Sequence, residues 1–157
     1  MTDDLAFLRR SAELSRHGML TGAGGPFGAV IVLDGKVVGE GWNQVTSTND
    51  PTAHAEVVAI RKACAELGRF DLRGGVIYAS CEPCPMCLAA IHWARLDRIV
   101  FANSRDEAAS IGFDDALIYG QIPLAPEDRD LPCKHVPLRE ALDVFKEWTA
   151  KADRVPY

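Results

Sequence analysis

Residues 53–56 read Ala-His-Ala-Glu, and residues 81–87 read Cys-Glu-Pro-Cys-Pro-Met-Cys. Cys84 and Cys87 stand three apart, so on a helix their sulfurs share one face. Pro85 suits a first helical turn, where a missing backbone N–H costs nothing. That spacing sets Cys84 at or beside a helix N-terminus, where free N–H groups and the dipole stabilise a thiolate. Two thiolates so placed are half of a tetrahedral zinc site. His54 is the natural third ligand, because it follows Asp50-Pro51-Thr52 at the start of the next expected helix. Residues two apart in mid-helix point away from each other, so His54 and Glu56 can serve one site only at a helix entrance.

Three protein ligands with one position for water is the catalytic zinc pattern, whereas four protein ligands is the structural one. Zinc held by His54, Cys84 and Cys87 can lower the pKa of water to about 7. Glu56 then need not ligate. As a carboxylate beside that water it takes a proton and hands it to a leaving amine, work typically worth about 10²–10⁴-fold in rate. A single Cys-x-x-Cys is a weak sign of metal; His-x-Glu followed by Pro-Cys-x-x-Cys after a strand is far more specific, and it matches the signature of zinc-dependent base deaminases. The rival from another class is a binding module with purely structural zinc. It needs a fourth ligand, Cys81 or Cys64, and leaves Glu56 without work. His17, His92 and His135 are given no role.

The rest of the chain limits what such a site can serve. At 157 residues and 48% hydrophobic, residues 1–157 are expected to form one domain with a real core. The formal charge is −5, and the 17 Lys and Arg residues are scattered. Nucleic acid is therefore a disfavoured partner, since its affinity comes largely from basic residues releasing counterions. The opening MTDDLAFLRRSAELSRHGML carries acids and bases throughout, unlike a secretion signal or transit peptide. No uncharged apolar stretch approaches the roughly 18 residues that cross a bilayer. Five cysteines, an odd number, read as thiols in a reducing cytoplasm with some bound to metal.

The elements that position the site follow from local pattern. Leu5, Leu8 and Ala12 repeat as on a helix face, and TGAGGP at 21–26 ends it. FGAVIVLDGKVVGEGWN reads as two strands around Asp34-Gly35, a dipeptide suited to a tight hairpin turn. NDPTAHAEVVAIRKACAELG reads as a helix closed by Gly68. A strand over 76–79, a helix over about 84–94 and a strand over 98–102 follow. Residues 104–132 mix short helical pieces with loops at Pro123, Pro126 and Pro132. A brief strand is expected over 134–136, then a last helix to about Ala152 with Leu138, Leu142, Phe145 and Thr149 on one stripe. Trp93 is expected in the core. The order implies a sheet between helices, a three-layer α/β/α sandwich.

PTAHAEVVAIRKAC and SCEPCPMCLAAIHWAR resemble the cytidine deaminase-like superfamily of zinc hydrolases. Across nearly the whole chain, GGPFGAVIV, NDPTAHAE, GFDDALIY and a C-terminal aromatic residue are most similar to the short bacterial guanine deaminases. His92 and Leu96 stand where an aromatic residue and a proline are common in that family, and neither change touches the zinc chemistry. The resemblance implies a mixed five-stranded sheet, one Zn²⁺ per chain on His54, Cys84 and Cys87, and Glu56 as proton shuttle. It implies that Asn43 hydrogen-bonds the base, that Ala55 also contacts it, and that Phe27 and Phe113 help wall the ring. Asp115 is expected at the amino-bearing edge, assisting proton transfer. Tyr157 is expected to reach an active site from the tail, with the segment from about 138 to 157 swapped between subunits of a homodimer. The reaction implied is hydrolytic deamination of guanine to xanthine. Guanosine or another aminated heterocycle, and an adenosine in tRNA, are the alternatives.

Overall fold

Asp34 and Gly35 both take left-handed backbone conformations, φ 49° and 73°, as a two-residue hairpin turn requires. They join β1 (Gly28–Leu33) to β2 (Lys36–Trp42), which pair antiparallel with a register irregularity between Ile31 and Val32. β3 (Val76–Cys81) lies antiparallel on the other side of β1, and β4 (Arg98–Asn103) runs parallel to β3. The order is β2-β1-β3-β4, a mixed sheet. The computed structural model describes residues 4–157, in two compact units that divide after Asp115.

Within the first unit both faces of the sheet are covered. Alternate residues of β1 point to opposite sides. Val30 and Val32 join Leu14 and Tyr78 in a core beneath α1 (Asp4–Leu20). Ala29 and Ile31 join Ala55, Ala59, Ala63, Ile77 and Ile91 in the core beneath α3 (Ala55–Leu67) and α4 (Pro85–Trp93). Helix, sheet and helix therefore form three layers, as the sequence order implies. α3 approaches β2 unusually closely. A Cβ at Gly39 would lie 2.5 Å from the Ala59 carbonyl oxygen, and one at Gly41 would lie 2.3 Å from that of Ala55. Bare backbone at these two strand positions lets the start of α3 settle over the end of β2.

A four-residue helix, α2 (Val45–Thr48), precedes α3, and α5 (Arg105–Ser110) follows β4 behind a capping box of Ser104 and Glu107. The second unit holds α6 (Ala116–Gln121), a 3-10 turn at Pro126–Asp128 and α7 (Arg139–Ala150). Three expectations need correction. The sheet has four strands among the described residues, not five, because 134–136 is not extended into a ladder. Pro132 and Pro137 bracket that segment, and no neighbouring strand supplies the bonds a short strand needs. Trp93 is 63% exposed rather than core, since Ile91 and Ala94 take the inward face of that turn. The last helix stops at Ala150, two residues early. No described helix is long and apolar enough to cross a membrane.

Candidate active site

The site forms where two helices begin. His54 is the N-cap of α3, with extended backbone at φ −68° and ψ 155°. It therefore lies just outside the helix that carries Glu56 in its first turn, which is how two residues at i and i+2 come to serve one place. Cys84 is the N-cap of α4, with Pro85 at the helix start and Cys87 one turn in. Nδ1 of His54 lies 3.5 Å from the sulfur of Cys84 and 3.5 Å from that of Cys87. Zinc–sulfur and zinc–nitrogen bonds of 2.3 and about 2.0–2.1 Å at a tetrahedral angle imply sulfur–nitrogen separations of about 3.6 Å. The donors fit. All three lie within 4.8 Å of one another, and neither Cys81 nor Cys64 joins the group among the described residues. Cys81 instead turns its sulfur to the Ser104 carbonyl at 3.7 Å.

Electrostatics at the cluster follow from burial and from the contacts of its side chains with one another. The Cys87 thiol beside it, then His54, hold Cys84 down at about 4, so it is a thiolate at neutral pH. Cys87 is driven upward by its bond to Cys84 and by burial. The bond to Cys84 also raises His54. Glu56 is only 8% exposed, and its Oε2 lies 3.3 Å from the Cys87 sulfur. Burial raises its carboxyl above the usual range. A carboxyl raised by burial next to a metal-ligand cluster is suited to holding and releasing a proton.

Asn43 is 5% exposed, and its amide is divided in use. Oδ1 accepts from the backbone N–H of Gly25 and of Val45, both at 3.2 Å. The Nδ2 end keeps its donors for something else. Phe27 and Phe113 meet edge-to-face, with centroids 4.9 Å apart and planes at 89°. Ala55 packs its methyl group into the core at 1% exposure, so only its backbone can face a ligand; its first-turn N–H has no intrahelical acceptor. Asp115 is partly buried and lies 3.6 Å from Arg105. Burial raises its carboxyl, Arg105 lowers it and Cys84 raises it. Tyr157 belongs to the second unit and is 75% exposed. Sequence reasoning missed Glu82 and Arg105. Glu82 accepts the Arg105 backbone N–H at 3.1 Å, which ties the cysteine loop to the start of α5. The only signal was the placement of Glu82 inside Cys-Glu-Pro-Cys.

The chain is similar to known proteins. The cytidine and deoxycytidylate deaminase zinc-binding region matches residues 1–103. The chain belongs to this deaminase family. A guanine deaminase of Bacillus subtilis (strain 168) is 50% identical over 151 residues, which span 96% of this chain and 97% of that protein. The X-ray structure of guanine deaminase from Bacillus subtilis superposes with a TM-score of 0.94 at 50% identity, covering 97% of each chain. A tRNA-specific adenosine deaminase of Agrobacterium fabrum (strain C58 / ATCC 33970) is 49% identical over 86 residues, 55% of this chain and 57% of that one. In this zinc-binding deaminase domain, His54, Cys84 and Cys87 are positioned to bind one metal ion.

Proposed function

We propose that the chain is a zinc-dependent guanine deaminase that hydrolyses guanine to xanthine and ammonia. The observation that carries this is a buried Glu56 beside a His54-Cys84-Cys87 cluster, in a chain half identical, end to end, to a guanine deaminase. A tRNA-specific adenosine deaminase matched over 80% of the chain is only 29% identical, against 50% over 96% for the guanine deaminase, and a charge of −5 suits a small base better than a phosphate backbone. The thiol-rich site suits a reducing compartment such as the cytoplasm.

His54, Cys84 and Cys87 hold the zinc, whose Lewis acidity when bound makes water nucleophilic at neutral pH. Hydrolysis forms a C–O bond at carbon 2 and breaks the bond to the exocyclic amine. One proton of the water ends on a ring nitrogen and the other on the departing amine, which leaves as ammonia. Glu56 carries both, taking each from the water and releasing it to nitrogen in turn. Asn43 presents its Nδ2 donors to an acceptor on the base, and the Ala55 N–H lies at the same helix entrance. Phe27 and Phe113 wall the ring. Asp115 accepts from the amine and ring N–H edge, a donor pair that adenine lacks. A site built around such a pair rejects analogues without it, by up to about 10⁴-fold.

The working form is a homodimer in which residues from about 138 to 157 reach the other copy. Support comes from Leu138 at the N-cap of α7 and from Leu142 and Phe145 within it, apolar side chains that are 55–72% exposed in the single chain. Such side chains belong against another surface. Tyr157, with a flat ring and a polar tip, then closes over a bound base. The functional test is ammonia release from guanine, guanosine, adenine and cytosine before and after zinc is stripped. Guanine should be preferred and zinc required. Release from cytosine alone, or undiminished release without zinc, refutes the reading.

A further inference from the structure

Gly24 and Gly25 sit where three of the residues assigned to the base come together. A Cβ on Gly24 would lie 2.1 Å from Oδ1 of Asn43, 2.6 Å from its carbonyl oxygen and 2.9 Å from its carbonyl carbon. The side-chain oxygen could turn away; the backbone could not. A Cβ on Gly25 would lie 3.0 Å from the ring tip of Phe113 and 3.1 and 3.2 Å from the ring edge of Phe27. Neither glycine is among those with positive φ, so space rather than backbone conformation demands them. The segment is also laced to its neighbour. Asn43 donates its backbone N–H to Phe27 at 3.0 Å, Ser47 donates to Ala23 at 3.1 Å, and Gly25 donates to Oδ1 of Asn43.

We propose that the Gly24-Gly25 dipeptide is a positioning element for substrate: its bare backbone fixes which end of the Asn43 amide faces the base and seats the Phe27–Phe113 wall beside it. The inference rests on the reading that Asn43, Phe27 and Phe113 contact the base. Its logic is that of donors and acceptors. With two backbone N–H groups on Oδ1, a flipped amide would set its NH₂ against them, donor to donor. The unflipped amide therefore presents two N–H groups, which pair with ring or oxo acceptors such as guanine offers. Nothing larger than glycine at 24 permits that approach, and nothing larger at 25 leaves both rings where they stand.

The test is guanine kinetics with Gly24→Ala, Asn43→Ala and the double variant, together with zinc content and thermal melting. Gly24→Ala should raise KM about tenfold or more, with kcat changed only a few-fold and one zinc kept per chain. In the Asn43→Ala background the same substitution should add less than about twofold, because residues acting through one another are not additive. An unchanged KM in Gly24→Ala, or a full additive penalty in the double variant, overturns the proposal while leaving the Asn43 assignment standing. An unchanged KM in Asn43→Ala itself overturns that assignment, and the proposal with it. Should Gly24→Ala fail to fold, Gly25→Ala decides, since its added methyl meets only ring atoms. It should raise KM several-fold alone and add nothing in a Phe113→Leu background; wild-type KM refutes the proposal.

Discussion

Glu56→Gln separates binding from chemistry. The carboxyl lies in the first turn of α3, 8% exposed, 3.3 Å from the sulfur of Cys87 and outside the metal-donor group. Gln fills the same volume, so no cavity opens, and it can still hydrogen-bond. It cannot carry a proton. Loss of a positioned acid–base group typically costs about 10²–10⁴ in rate, which at 1.36 kcal/mol per tenfold is about 2.7–5.5 kcal/mol of barrier. The structure supports the upper part of that range, because burial leaves little solvent to substitute. Stability should not fall. Burial raises the folded-state carboxyl above its ordinary value, so the folded state binds that proton more tightly than the unfolded one. Between the ordinary and the raised value, stability declines as pH rises. Gln removes this decline, which appears as a flatter melting-temperature profile above about pH 4.5 in chelator-treated protein. The assay is ammonia release under saturating guanine, with KM, bound zinc and melting measured on one preparation. Expected are a kcat reduced at least about a hundredfold, a KM within a few-fold and one zinc per chain. More than a tenth of wild-type kcat with zinc retained refutes the shuttle assignment. Loss of zinc would instead make Glu56 part of the metal site.

In chelator-treated protein, iodoacetamide should label Cys84 first, and still at about pH 5, because its thiolate persists to about pH 4, whereas the Cys81 thiol, pushed up to about 11, stays inert; peptide mapping that finds Cys81 labelled first refutes this. Arg98 and the Tyr78 hydroxyl hold the Asp4 carboxylate below its ordinary range, so its contribution is present above that range and disappears as pH falls through the lowered value. Asp4→Asn should lower the melting temperature at pH 7 and converge with wild type near pH 2; an equal gap at both values excludes the ion pair as the cause. Removal of residues 155–157 should abolish most turnover but leave zinc content intact. A verified mixed dimer of the truncated chain with a Glu56→Gln chain should regain activity, and no rescue means that the tail does not serve the other copy.

Much of this was legible because the deciding chemistry is local. Asp34-Gly35 specifies its hairpin through backbone conformations that few other dipeptides accept. Gly68 closes α3 with a left-handed C-cap, and Pro85 opens α4. The ligand string was legible for the same reason: three donors lie on two short stretches, each at a helix start. What failed depends on neighbours distant in sequence. Residues 134–136 look extended, yet a strand exists only with a partner to pair with. Trp93 carries a core-like side chain on the outward side of its turn. α2 went unread because Val-Thr-Ser-Thr has little helical preference; it forms where Oδ1 of Asn43 accepts its first N–H and Ala23 accepts from Ser47. The divided use of the Asn43 amide is likewise invisible in sequence, since it is set by a loop eighteen residues away.

The two helix starts explain why the site is costly to build and why it is built there. An N-cap side chain normally accepts a backbone N–H, and losing that bond costs about 1 kcal/mol. His54 and Cys84 are the N-caps of α3 and α4, and neither makes a side-chain cap bond. Both side chains turn to each other instead, 3.5 Å apart. About 2 kcal/mol of helix-start stability is thus forgone across the two caps. A ligand bound to the folded state alone, at a hundred times its dissociation constant, returns about 2.7 kcal/mol. Zinc at such occupancy offsets the loss. The same uncapped N–H groups leave two positive helix ends facing the cluster, where they favour thiolate over thiol. Charge balance then fits the proposed chemistry: two thiolates neutralise a divalent ion, and Glu56, outside the donor group, is left to exchange a proton. A Ser at either cap would stabilise its helix and remove a donor. The residues that make these helices locally weaker are the ones that let the domain hold its metal.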